Sequence, residues 1–185
     1  MIYPASAIVV GSVASGSGFG KKINRRVRRA IEHKKRPIRA DDYLQYLPTV
    51  SVFGLSLTGA RAKHDYLDRA VITTTSYLMM GIMVNTVKYT TRVQRPGRGS
   101  RNSFPSGHTA TAFMGAELLR LEYGTWAGVA GYSLASAIGV ARIYNGRHWV
   151  SDVLVGSGVG ILSAHAGYYL HPLIRPLYRK DKRGM

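Results

Sequence analysis

Long apolar runs separated by polar stretches dominate this chain of 185 residues. Six runs can be distinguished, at residues 1–19, 46–60, 70–87, 109–121, 126–141 and 153–170. Valine, isoleucine and threonine lie inside these runs and do not alternate with polar residues, so the pattern predicts helices and no strands. We therefore expect an all-α protein of about six helices, with loops near residues 61–69, 88–106 and 143–151.

Two of the runs, 70–87 and 153–170, fall within the length of a membrane-spanning helix, which needs roughly 17 to 25 apolar residues. Small residues such as Gly156 and Gly160 recur in several runs, and this composition favours close helix packing in lipid. The prediction is an integral-membrane helical bundle that forms a single domain over residues 1–185. We expect the first run to be a spanning or partly inserted helix, since a signal peptide has its basic residues before the apolar run. The shorter runs would also suit buried helices of a soluble bundle.

The charge of the chain is strongly positive, with a formal net charge of +17. The cations are clustered, and residues 21–39 hold many of them around Ile23, Val27 and Ile31, which are spaced four apart. This segment is predicted to be a basic amphipathic helix on an anionic interface, with a solvated basic linker as the alternative. A nucleic-acid partner is not expected, because no binding module is recognisable and the apolar runs do not fit one. The absence of cysteine excludes disulfides and thiolate metal sites.

Three polar blocks within residues 88–152 carry the chemistry of the chain. They read Lys-x6-Arg-Pro from Lys88, Pro-Ser-Gly-His from Pro105 and Arg-x5-His-x3-Asp from Arg142. Arginine offers a planar fork for phosphate oxygens, and lysine adds a mobile positive charge. Ser106 and Gly107 are expected at a helix start, where backbone N–H groups bind anions. The blocks therefore indicate a phosphate site.

Two histidines and a carboxylate add reactive groups to this site. His108 suits the protonation of a departing oxygen, because imidazole titrates near neutrality. His148 and Asp152 are four residues apart and would share a helix face if the sixth helix begins by His148, so that the carboxylate orients the ring and leaves one nitrogen free to attack. Ser106 and Asp152 would also suit an ordinary helix start, as a cap and as a partner of the helix dipole.

The order and spacing of the blocks resemble the type 2 phosphatidic acid phosphatase superfamily. The resemblance implies hydrolysis of a phosphate ester through a phosphohistidine, without metal or cofactor. It implies that His148 is the nucleophile, Asp152 its partner and His108 the general acid. Ala141 is a departure, because the family commonly has serine before the arginine of the third block. The phosphate site implied by the resemblance consists of Lys88, Arg95, Ser106, Gly107 and Arg142.

The resulting functional hypothesis is a metal-independent membrane phosphatase that acts on a lipid phosphomonoester, with lipid A favoured by the cationic loops. Phosphatidylglycerol phosphate and polyprenyl diphosphate are alternative substrates. A soluble acid phosphatase or a vanadate haloperoxidase is a further alternative, against which the two long apolar runs argue. The resemblance implies a multi-pass protein of the bacterial inner membrane with its site towards the periplasm. The cations outside the site are divided almost equally between the two sides, so they do not decide the orientation.

Overall fold

The computed structural model describes residues 2–31, 38–97 and 99–179, and its regular structure is helical. No strand occurs in these ranges, which confirms the prediction of an all-α fold. A 3-10 turn, Leu55–Thr58, extends the fourth helix. The helices in chain order are α1 (Ile2–Gly16), α2 (Gly18–Ile31), α3 (Asp41–Leu44), α4 (Leu47–Gly54), α5 (Tyr66–Thr91), α6 (Gly107–Tyr123), α7 (Thr125–Tyr144) and α8 (Val150–Tyr178).

The last four apolar runs of the sequence correspond to α5, α6, α7 and α8, each of which extends its run by a few residues. The first run is divided between α1 and the start of α2, because the chain bends at Ser17. The four-residue α3 has no counterpart among the runs, since half of it is acidic. The bundle therefore has two short helices, α2 and α3, in addition to those that the apolar runs predict.

Helix α6 lies at the centre of the bundle. It packs against α4, α7 and α8, while α1 and α5 pack on the other faces of α8. Alanine residues at 110, 112 and 116 of α6 are completely buried, so neighbouring helices approach it closely. Larger side chains, Met114 and Leu118, fill the remaining core between α6 and its neighbours.

Helices α6 and α8 approach each other closely. A Cβ atom added to Gly156 would collide with the backbone carbonyl of Ser106, and one added to Gly160 would collide with that of Ala110. Only glycine permits this contact, because any side chain would push the two backbones apart. The start of α8 is therefore held directly against the start of α6.

Among the described helices, α5 and α8 are long and apolar enough to cross a membrane. Only 28% of the apolar stretch of α5 is buried within the protein, and Leu78 and Ile82 project outwards from it. Leu173 and Leu177 are likewise exposed on α8. Large exposed apolar side chains are unfavourable in water and suit a lipid environment.

The basic segment predicted over residues 21–39 contains α2, which is helical up to Ile31. Its cations and apolar residues lie on different faces. Residues 32–37 lie outside the described residues. Val27 of α2 is half-buried, and with Asn24 it borders a small cleft that also includes Trp149 and His148. The amphipathic helix thus lies beside the entrance to the predicted site.

Candidate active site

The three sequence blocks meet at one end of the bundle, around the N-terminus of α6. Every residue predicted for the site lies at a helix end or in an adjoining loop. They are Lys88 in the last turn of α5, Arg95 in the following loop, Ser106, Gly107 and His108 at the start of α6, Arg142 in the last turn of α7, His148 in the α7–α8 loop and Asp152 in the first turn of α8.

Two loops are hydrogen-bonded to each other at this end of the bundle. Trp149 Nε1 donates to the carbonyl oxygen of Gln94 at 2.9 Å, and the Gly97 N–H donates to the carbonyl oxygen of Gly146 at 3.1 Å. Gly146 has a φ of 63°, which glycine adopts without strain. These bonds fix the loop that follows α5 against the loop that precedes α8.

His148 is almost fully enclosed, with 2% of its surface exposed. Its Nδ1 lies 2.7 Å from the backbone carbonyl oxygen of Ser103. Because a carbonyl oxygen can only accept, Nδ1 carries the proton and Nε2 keeps its lone pair. Burial lowers the pKa of His148, so the ring is neutral at pH 7. A neutral imidazole with an available nitrogen is the form that can act as a nucleophile.

Asp152 makes no direct hydrogen bond to His148. Helix α8 begins at Val150, so His148 precedes it, and the condition under which both residues would lie on one helix face is not met. Asp152 Oδ2 instead accepts the Ser103 hydroxyl and, at 2.9 Å, the Trp149 N–H. The same oxygen lies 3.7 Å from His148 Nδ1, which is close enough for ionic attraction. Asp152 therefore acts on His148 through its charge and through Ser103.

Lys88 and Arg95 are held by a residue that no sequence block contains, Asn102. Lys88 Nζ donates to the Asn102 carbonyl oxygen at 3.2 Å, and Arg95 Nε donates to Asn102 Oδ1 at 2.9 Å. A methyl group added to Gly107 would lie 3.9 Å from Lys88 Nζ, so the ammonium faces the start of α6. Two cations and the positive end of a helix thus converge on one region.

Arg142 is the most deeply buried of the site cations, with 4% of its surface exposed. Its Nη1 donates to Asp41 Oδ2 at 2.8 Å and to Asp42 Oδ1 at 2.9 Å. Its Nε has no hydrogen-bond partner in the part of the chain that the structure describes, although the atom is buried. A buried donor without a partner is costly, and an anionic ligand would relieve that cost.

Ser106 caps the N-terminus of α6. Its side-chain oxygen accepts the Thr109 N–H at 3.4 Å and lies 2.9 Å from the Thr109 hydroxyl. Its own N–H donates to the carbonyl oxygen of Asp152 at 3.0 Å. The Ser106 side chain is fully buried and is therefore engaged within the protein as a cap. The neighbouring Gly107 leaves open the space that faces the Lys88 ammonium.

His108 lies at the mouth of the site with its side chain 29% exposed. Its Nε2 is 3.0 Å from Asp42 Oδ1. Burial and repulsion by Arg142 lower the pKa of His108 to about 4, although Asp42 acts in the opposite direction. His108 is therefore neutral at pH 7 in the ligand-free protein. An anion bound between His108 and Arg142 would offset the repulsion and raise this pKa.

The sequence blocks did not include four polar residues of the site: Asp41, Asp42, Asn102 and Ser103. The sequence does mark Asp41 and Asp42, because they are adjacent carboxylates directly after a long cationic stretch. No comparable signal marks Asn102 or Ser103, which occur in a polar loop. Within the described ranges, no three histidine, aspartate or glutamate side chains are grouped in a way that could hold a metal ion.

Fold and site together define a helical protein with an enclosed neutral imidazole next to a cluster of cationic side chains. Residues 69–176 match the family model of the PAP2 superfamily, which covers more than half of the chain. The chain belongs to this superfamily, as the three blocks predicted.

A curated relative with high similarity is the lipid A 1-phosphatase of Porphyromonas gingivalis. The two sequences are 54% identical over 99 residues, which represent 52% of this chain and 22% of the relative. The chain thus spans about a fifth of the length of that curated relative. The matching part is accordingly a single region of a much longer protein.

Two solved structures share the fold. One is LpxE of Aquifex aeolicus, with a TM-score of 0.61, 23% identity, and coverage of 80% of this chain and 95% of that chain. The other is a transmembrane PAP2-type phosphatidylglycerolphosphate phosphatase of Bacillus subtilis, with a TM-score of 0.64, 17% identity, and coverage of 98% and 100%. The fold shared with a transmembrane protein, together with the long apolar helices α5 and α8, confirms the prediction of an integral-membrane helical bundle.

Proposed function

We propose that this protein is a membrane phosphatase that hydrolyses a lipid phosphomonoester through a phosphohistidine intermediate, without a metal. The observation that carries the proposal is the state of His148. Its Nδ1–H is held by Ser103, so Nε2 is free, and three cations of the site lie around the same pocket. The unpartnered Nε of Arg142 adds a donor that suits a phosphate oxygen.

The first step is binding of the phosphate group. Lys88, Arg95 and Arg142 neutralise its charge, and the N–H groups at the start of α6 provide further donors. Gly107 allows the phosphate to approach this helix start closely. Because Asn102 holds Lys88 and Arg95 in place, little reorganisation is needed when the substrate binds.

The second step transfers the phosphoryl group to the enzyme. His148 Nε2 attacks phosphorus, so that a P–N bond forms while the bond to the leaving oxygen breaks. The leaving oxygen takes a proton from His108, whose pKa the bound phosphate has raised. The phosphorylated imidazole carries positive charge, which the Ser103 carbonyl and the nearby Asp152 carboxylate stabilise.

The third step regenerates the enzyme. A water molecule attacks the phosphohistidine, and His108, which is now neutral, accepts its proton. The P–N bond breaks, inorganic phosphate leaves, and His148 returns to its neutral form. His108 thus serves as the acid in the first transfer and as the base in the second, as microscopic reversibility requires.

A lipid substrate is supported by two adjoining grooves next to the site. One, of about 390 Å³, is lined mainly by apolar side chains of α1 and α2, including Val9, Val13 and Ile23. The other, of about 460 Å³, contains Lys21 and Arg25 and reaches Asp152. An apolar groove beside a cationic one suits a molecule with acyl chains and an anionic headgroup.

Lipid A is our first candidate substrate, because the similar region of the Porphyromonas gingivalis relative belongs to a lipid A 1-phosphatase. Phosphatidylglycerol phosphate is the second candidate, supported by the fold shared with the Bacillus subtilis enzyme. We further propose that the protein lies in the bacterial inner membrane with its site towards the periplasm. The basic α2 then lies at the same membrane surface as the site, where it would attract anionic headgroups.

The test is phosphate release by the purified protein in detergent micelles. Lipid A, phosphatidylglycerol phosphate and a short water-soluble phosphate ester would be compared at matched micelle composition. We expect a clear preference in kcat/KM for the lipids, because binding of the acyl chains helps to position the phosphate. Equal efficiency on the soluble ester, or full activity without detergent or membrane, would favour a soluble acid phosphatase.

A further inference from the structure

The short helix α3 brings two carboxylates to the site from outside residues 69–176, the range of the family match. The segment that leads into α3 is fixed to the end of α7 by Asn145, whose Nδ2 donates to the Ile38 carbonyl oxygen at 2.7 Å and whose Oδ1 accepts the Ile38 N–H at 2.9 Å. The position of α3 is therefore determined by backbone contacts as well as by its charges.

The two carboxylates have different environments. Asp41 is buried, with 2% exposed, and its Oδ2 lies 2.8 Å from Arg142 Nη1. The Asp42 side chain is 56% exposed and stands at the mouth of the site. Asp41 is thus an internal partner of Arg142, whereas Asp42 is exposed at the surface of the protein.

One oxygen atom of Asp42 receives two donors of the site. Its Oδ1 lies 2.9 Å from Arg142 Nη1 and 3.0 Å from His108 Nε2. In the proposed reaction His108 protonates the leaving oxygen, and because Nε2 donates to Asp42, the proton comes from Nδ1 at the other edge of the ring. Asp42 is therefore on the leaving-group side of the site, separated from the leaving oxygen by the His108 ring, and not next to the phosphoryl group that is transferred to His148.

We propose that Asp42 determines which leaving groups the enzyme accepts, an inference that rests on the phosphatase function proposed above. An alcohol leaving group, such as a sugar or glycerol hydroxyl, is neutral, and its neighbouring hydroxyls can donate hydrogen bonds to a carboxylate. The leaving group of a diphosphate is itself a phosphate. Its negative charge would lie on the same side of the site as Asp42 and be repelled by that carboxylate. Asp42 thus favours phosphomonoesters over diphosphates.

The test compares kcat/KM for phosphatidylglycerol phosphate and for a polyprenyl diphosphate in the same micelles. Wild type is compared with Asp42→Asn, which removes the charge, and with Asp42→Glu, which keeps it. Asp41→Asn serves as the matched control, because it removes the neighbouring charge that also pairs with Arg142 but does not contact His108. Thermal unfolding of each variant establishes that it is folded, and the exposed position of Asp42 makes its substitution tolerable.

We expect Asp42→Asn to lower the monoester-to-diphosphate ratio about tenfold, which corresponds to about 1.4 kcal/mol of lost discrimination. Efficiency on the diphosphate has to rise in absolute terms. This criterion separates two explanations of a lower ratio. A weakened His108 would also lower the ratio, because an alcohol needs protonation to leave more than a phosphate does. A weakened acid cannot, however, increase the turnover of either substrate. Asp42→Glu should retain the wild-type ratio, and Asp41→Asn should reduce both efficiencies together.

The inference is overturned if Asp42→Asn reduces both efficiencies, or if Asp41→Asn changes the ratio as much as Asp42→Asn does. It is also overturned if wild type already prefers the diphosphate. These outcomes leave the phosphatase function intact, because phosphate is still released. Failure of wild type to release phosphate from these two lipids and from lipid A would instead refute the proposed function, and this inference with it.

Discussion

Replacement of Asp152 by asparagine tests how the enclosed carboxylate acts on His148. In the ligand-free protein Asp152 Oδ2 accepts two hydrogen bonds, from Ser103 and Trp149, whereas the buried Oδ1 has no partner in the described part of the chain. The asparagine oxygen can take the place of Oδ2, and its NH₂ group can take the place of Oδ1. The substitution therefore removes the charge with little change in geometry.

The expected loss follows from the distance of 3.7 Å between Asp152 Oδ2 and His148 Nδ1. At an effective dielectric constant of about 20, unit charges at this separation attract each other by about 4 kcal/mol. His148 is neutral before the reaction and positively charged when phosphorylated, so this attraction lowers the barrier and not the energy of the starting state. A loss of about 4 kcal/mol would reduce kcat by about 10³, which we take as the upper end of the expected range.

The tautomer of His148 should survive the substitution, because Nδ1–H donates to the Ser103 carbonyl and not to Asp152. Single-turnover phosphate release in micelles would measure the chemical step, and thermal unfolding would show whether the fold is retained. The pH profile adds a second readout. Asp152 raises the pKa of His148, so its neutralisation should move the acidic limb of kcat/KM to lower pH. A folded Asp152→Asn variant with kcat within about threefold of wild type would refute the electrostatic role calculated above.

Three further predictions concern the reaction itself. His148→Ala should abolish turnover while the protein still folds and inserts, and near-normal activity in a clean preparation would rule out the phosphohistidine. His108→Ala should reduce turnover of an alkyl ester far more than that of a nitrophenyl ester, which needs less protonation; equal losses would argue against its role as general acid. Vanadate should inhibit as a mimic of the pentacoordinate transition state, whereas chelators should have no effect; activity lost in chelator and restored by magnesium or zinc would refute the metal-free mechanism.

The helical fold was readily predicted, because the last four apolar runs are long and bounded by polar residues. The positions of the three blocks were also predictable, since helix ends and loops had to carry them. The position of His148 relative to Asp152 could not be predicted. It depends on where α8 begins, and the start of a helix is among the least certain features of a sequence pattern.

The contribution of α3 could not be predicted for a different reason. The ion pair between Asp41 and Arg142 joins residues that are 101 positions apart, and nothing in local periodicity reports such a contact. Asn102 and Ser103 present the same difficulty at shorter range. Their roles come from a backbone carbonyl as much as from their side chains, and every residue type has a backbone carbonyl.

The direct contact between α6 and α8 has a consequence for how the protein becomes active during biosynthesis. Gly156 brings the start of α8 against Ser106, and the helix start so positioned carries Asp152. Ribosomes produce α8 after all the other helices described here, so a chain that has inserted up to α7 has the cations of the proposed site but lacks the Asp152 carboxylate. The active centre is completed only when α8 docks. We therefore expect nascent chains to remain inactive until that late event, and a register shift of one turn between the two helices to yield an inserted but inactive protein.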